Sequence, residues 1–90
     1  MKVLLFSNDG CGSCIKWKPT FLKLMKEFNL EYEVIDNFKE KDKARQYNIV
    51  GIPCTVFLNN QGVEIGHILG SMIEELAERD IRLYISRDGD

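Results

Sequence analysis

Residues 3–17 read VLLFSNDGCGSCIKW, and two changes of character within them decide the fold. Val3, Leu4, Leu5 and Phe6 form an unbroken apolar run, which predicts a strand covered on both faces by helices. Asn8-Asp9-Gly10 ends that run with turn residues. From Cys14 onward the apolar positions fall at helical spacing. Cys14, Trp17, Phe21, Leu24/Met25 and Phe28 share one face, and Lys16, Thr20, Lys23 and Glu27 share the other. Asn29 closes the helix, and Pro19 inside it should bend it because proline lacks an N–H. Two cysteines, Cys11 and Cys14, therefore fall at a strand-to-helix turn. A C-x-x-C there fits a redox pair, half of a metal site, or two small residues at a turn.

Working outward, Tyr32–Asp36 reads as a second strand. Asn37 with Glu40 resembles a capping box opening a lysine-rich helix that runs to about Tyr47. Cys54-Thr55-Val56-Phe57-Leu58 is rich in strand formers and follows Pro53. Asn59-Asn60-Gln61-Gly62 is a hairpin-type turn, with Val63–Leu69 as the returning strand. Gly70 breaks that strand. Ser71 with Glu74 is a second capping box, ahead of a helix with Ile73, Leu76, Ala77, Ile81 and Tyr84 on one face. Arg87–Asp90 reads as a frayed tail. The order is β-α-β-α-β-β-α in one α/β domain, residues 1–90. The first crossover predicts parallel strands and the tight turn an antiparallel pair. The expected architecture is a four-stranded mixed sheet flanked by helices on both faces.

Composition narrows the function classes. The apolar fraction of 44% and charged fraction of 29% are those of an ordinary globular protein. A net charge of −2, with both signs interspersed, gives no reason to expect nucleic acid or an anionic membrane as partner. The opening Val3–Phe6 run is too short for a signal-peptide core, and no stretch approaches membrane-spanning length. A cytoplasmic, monomeric protein is expected. Three cysteines, an odd number, argue against a disulfide framework.

At the head of a helix, Cys11 lies near amides and a dipole end that favour its thiolate, the nucleophile of disulfide exchange. Lys16 and Lys18 can add positive potential or point to water. Cys14, on the apolar face one turn on, should be more buried and can resolve a mixed disulfide formed by Cys11. Gly12 and Ser13 shape the turn between them.

Cys11-Gly-Ser-Cys14 after a short strand, Pro19 five residues past the second cysteine, and Ala44, Tyr47, Ile49, Gly51, Ile52 and Pro53 at family spacing resemble the thioredoxin-like family. Gly62 and Gly70 match its hairpin glycine and the glycine before its last helix. The resemblance covers essentially the whole chain, at a glutaredoxin-like length without the extra N-terminal strand and helix of full-length thioredoxins. It implies the thioredoxin-like fold and a protein-disulfide reductase without a cofactor. The partners it implies are disulfide-containing proteins and a reductase or low-molecular-weight thiol. It also implies a cis Ile52–Pro53 peptide beside the dithiol, with Gly51, Ile52 and Pro53 contacting substrate. The chain departs from the family at Leu5, where a buried aspartate is usual, at Gly10, where tryptophan is usual, and at Ser13, where proline is usual. Tyr32 stands near the position of the usual second-strand lysine. Protons must then move through water, Asp9 or direct thiol-to-thiolate exchange. Trp17 is expected in the core. No dedicated glutathione site is expected, because the loop is Gly51-Ile52-Pro53 and the last-helix approach reads Gly70-Ser71-Met72.

Cys54, where the family commonly has threonine, is either a buried filler or a third thiol near Cys11 and Cys14 able to form an alternative disulfide. The competing function is a zinc or other metal-binding module using Cys11, Cys14, Cys54 and His67, an S₃N set that zinc accepts. No second C-x-x-C supports it, and the expected metal content is none.

Overall fold

Among the described residues, four strands and three helices follow the expected order: β1 (Lys2–Ser7), α1 (Gly12–Glu27), β2 (Glu31–Asp36), α2 (Lys41–Gln46), β3 (Cys54–Leu58), β4 (Glu64–Leu69) and α3 (Glu74–Asp88). The computed structural model describes residues 1–88. The sheet order is β2-β1-β3-β4. β1 runs parallel to β2, with Val3 opposite Tyr32, and antiparallel to β3, with Leu5 opposite Thr55. β3 and β4 are antiparallel, with Cys54 opposite Leu69 and an irregularity at Phe57/Leu58.

The apolar run of β1 is buried on both faces, because each face meets its own helix layer. Val3 and Leu5 join Trp17, Phe21, Leu24 and Met25 of α1, Phe57 of β3, and Ala77 and Ile81 of α3. Leu4 and Phe6 join Ile35, Ala44, Cys54, Val56 and Leu58 on the opposite face, under α2. Burying each large side chain contributes roughly 1.5–3 kcal/mol. The helical face read from Cys14 to Met25 is buried as spaced. Asn29 follows the C-cap of α1 with φ 52°, a left-handed position that asparagine tolerates.

Three local expectations are corrected. Asn37 and Glu40 form no capping box. Instead the Asp36 carboxylate accepts the N–H groups of Phe38 and Lys39, and α2 starts later, at Lys41, with no side-chain cap. Ser71 lies three residues before α3 begins, and Glu74 pairs with Lys23 rather than capping. The apolar face of α3 is accordingly Ala77, Ile81 and Tyr84, while Ile73 and Leu76 are exposed. Arg87 and Asp88 belong to α3, and residues 89–90 of the expected tail lie outside the described residues.

The Asn59 turn forms as read. Its side chain accepts the N–H groups of Gln61 and Val63, and Gly62 takes φ 79°, which a β-carbon would disfavour.

Candidate active site

The turn after β1 delivers Cys11 by backbone and side-chain bonds. The Cys11 N–H donates to the Asn8 carbonyl at 3.1 Å, and Asn8 Oδ1 accepts the Gly10 N–H at 2.9 Å. Cys11 is the N-cap of α1, in extended conformation, and its Sγ accepts the Cys14 N–H at 3.2 Å. A helix-opening amide thus points at the sulfur, the contact a thiolate accepts. Cys11 is partly exposed and Cys14 is buried. Burial, first, and the hydrogen bond with Cys11, second, push the Cys14 thiol up to about 11.

The Ile52–Pro53 peptide is cis. Ile52 turns its carbonyl oxygen to within 3.9 Å of Cys11 Sγ, in reach of a weak S–H···O contact. The Pro53 carbonyl accepts the Gly70 N–H at 2.7 Å, which fastens the loop to the end of β4. Gly51 packs beside Leu69, whose Cδ1 a β-carbon at Gly51 would approach to 3.5 Å. Cys11, Cys14, Ile52 and Pro53 therefore meet at the ends of β1 and β3. Gly12 and Ser13 are exposed, and a β-carbon on Gly12 would meet nothing within 4 Å. Lys16 and Lys18 are exposed to solvent, as is Asp9.

The thioredoxin family model matches residues 1–82. The chain belongs to the thioredoxin family. Among thioredoxin relatives, the SPbeta prophage-derived thioredoxin-like protein YosR of Bacillus subtilis is 27% identical over 78 residues, covering 87% of this chain and 92% of its own. The thiol:disulfide interchange protein TxlA homolog of Synechocystis is 26% identical over 87 residues, but this chain spans only 48% of its length. Thioredoxin 1 of Thermosipho africanus superposes over 100% of both chains with a TM-score of 0.84 at 23% identity. Fasciola hepatica thioredoxin matches 97% of this chain and 79% of its own with a TM-score of 0.77 at 26% identity. The thioredoxin fold and the thiol–disulfide oxidoreductase class follow from this membership.

Cys54 is buried, but on the other side of the sheet from α1. It packs with Phe6 and Val56 under α2 and lines a cavity of about 180 Å³ with Tyr47, Ile49, Val50 and Leu69. Burial, then the Glu64 carboxylate, push its thiol up. The metal alternative does not assemble. The His67 imidazole lies 3.2 Å from Glu64 at the surface, and the described residues contain no group of three or more His, Cys, Asp or Glu arranged to hold a metal ion. No helix among the described residues is long and apolar enough to cross a membrane.

Leu5 is fully buried among Trp17, Phe57 and Ile81, so no carboxylate serves the dithiol from that position. Trp17 is core, as expected, but it also hydrogen-bonds: its Nε1–H donates to Thr55 Oγ1 at 3.0 Å. Sequence reading missed this bond. The available signal was a lone hydroxyl, Thr55, inside the apolar run Cys54–Leu58.

Proposed function

We propose that the chain is one thioredoxin-like domain that reduces protein disulfides in a reducing cytoplasmic compartment as a monomer, through Cys11 and Cys14. The observation that carries this reading is the paired placement of the two sulfurs. One is partly exposed at a helix N-terminus beside the Ile52 carbonyl, and the other is buried one turn below.

The Cys11 thiolate attacks one sulfur of the substrate disulfide. A Cys11–substrate bond forms, and the other substrate sulfur leaves as a thiolate. Cys14 then loses its proton, attacks Cys11 Sγ and forms the Cys11–Cys14 disulfide, which releases the second substrate thiolate. Two electrons pass to the substrate, and a dithiol reductase or low-molecular-weight thiol returns them. Because Leu5 stands where the family usually has a buried acid, the departing substrate thiolate is the base at hand for the proton of the buried Cys14 thiol. The backbone of Ile52, flanked by Gly51 and Pro53, aligns the extended substrate chain. Gly12 and Ser13 leave the approach to Cys11 open, and Cys54 has a packing role.

The test is turnover of a protein disulfide such as insulin with dithiothreitol as donor. Cys11→Ser is expected to abolish reduction, and full activity in that variant overturns the assignment of Cys11 as nucleophile.

A further inference from the structure

The segment that carries both cysteines is joined to the rest of α1 by one bond fewer than an ordinary helix provides. Pro19 lies inside α1 and has no N–H, so the Ile15 carbonyl four residues earlier lacks its helical donor. Residues 12–18 need another anchor to keep a fixed position over the sheet. Trp17, one turn past Cys14, is 2% exposed, and its indole N–H ends on the Thr55 hydroxyl at 3.0 Å.

Thr55 is well placed to be that anchor. It lies two residues beyond Pro53 on β3, a strand flanked by β1 and β4, where Leu5 and Ile68 stand opposite it. It is the one buried polar residue among the described residues. The bond therefore runs directly from the dithiol segment to the strand that carries the proline loop. It is also the one side-chain to side-chain hydrogen bond between α1 and β3 among the described residues. Valine would fill the volume of Thr55 equally well, so packing alone does not call for the hydroxyl. Once buried, the indole N–H and the hydroxyl are each costly to leave unpaired, which makes the made bond strongly preferred over a slipped helix position.

We propose that the Trp17–Thr55 hydrogen bond is a positioning device, holding the Cys11–Cys14 turn in register with the Ile52–Pro53 loop so that an extended protein disulfide meets both at once. The inference rests on the exchange reading of Cys11 given above. Among the described residues, neither Trp17 nor Thr55 hydrogen-bonds to a reacting sulfur. Both act through the distance between Cys11 and Ile52, now 3.9 Å. A small disulfide that offers no backbone to Ile52 does not depend on that distance.

The experiment compares wild type, Thr55→Val, Thr55→Ser and Trp17→Phe on two substrates, insulin and a small aromatic disulfide, below the melting point of every variant. Thr55→Val and Trp17→Phe are expected to lose on the order of tenfold in kcat/KM for insulin while staying within about twofold of wild type on the small disulfide. Thr55→Ser, which keeps the acceptor, should restore the insulin rate. An unchanged insulin-to-small-disulfide ratio in both deletion variants overturns the proposal, whether the two rates fall together or neither falls. If Thr55→Val does not fold, Trp17→Phe, which leaves the hydroxyl free to find another partner, decides by the same ratio. Wild type inactive on both substrates defeats the exchange reading and this inference with it; active wild type with an unchanged ratio defeats the inference alone.

Discussion

Alkaline pH should destabilise the reduced protein more than a variant without its second cysteine. In the folded protein the Cys14 thiol is raised from 9.0 to about 11, first by burial and then by its hydrogen bond with Cys11. Between those two pH values the unfolded chain has lost this proton and the folded chain still holds it. Stability linked to Cys14 is therefore fully present below about pH 9 and disappears as pH rises through about 11. A hundredfold difference in proton affinity corresponds to roughly 2–3 kcal/mol. For a domain of this size that is a sizeable part of the total stability. The assay is urea unfolding followed by circular dichroism across this pH range, under strong reductant, for wild type and Cys14→Ala. Cys54 and Tyr84, whose groups are also raised, titrate in both proteins and drop out of the difference. Wild type should lose roughly 2–3 kcal/mol more than the variant over this range. Parallel stability curves would refute the claim that Cys14 is held protonated by its buried site.

Two further substitutions probe the frame around the site. At Gly66 a methyl group would run into ring atoms Cδ1, Cε1 and Cζ of Tyr84, which packs on Phe57 at 4.8 Å and donates its hydroxyl to the His67 carbonyl at 3.2 Å. Gly66→Ala should cost about 1–3 kcal/mol, seen as a lowered melting temperature, and an unchanged melting temperature would show that the ring moves freely. At Asp36, the N–H of Lys39 above all, with that of Phe38, holds the carboxyl below the usual carboxylate range. Its contribution is present above the ordinary carboxylate pKa and is lost as pH falls below it, so Asp36→Ala should be less stable than wild type at neutral pH, with the gap closing in acid. A gap that does not change with pH would show that the bonds from Phe38 and Lys39 do not favour the ionised Asp36 carboxylate.

What the sequence reveals and what it hides divides along the range of the interactions. The run Val3–Phe6, the spacing from Cys14 to Met25 and the Asn59 turn are local signals, and each element formed where its pattern lay. Helix starts were less legible, because two neighbouring residues competed to shape one turn. The Asp36 side chain captured the amides of Phe38 and Lys39, so Asn37 did not cap, and α2 began late. At α3 the same kind of motif misled: starting the helix at Ser71 placed Ile73 and Leu76 on the apolar face, whereas both are exposed. β3 is buried throughout, so alternation could not say which face Cys54 takes. Pairing with β1 and β4 decides that, and it sets Cys54 on the side away from α1. The dithiol and the proline loop were legible as motifs. The bond between Trp17 and Thr55 was not, because 38 residues separate partners that only the folded sheet brings together.

The central claim is that Cys11 attacks and Cys14 resolves. Cys14→Ser, mixed with a disulfide-bonded protein and run without reductant, tests it most directly when peptide mapping by mass spectrometry locates the adduct. The account predicts a stable mixed disulfide on Cys11 that wild type does not accumulate. An adduct on Cys54, or none at all while wild type turns the same substrate over, would contradict it.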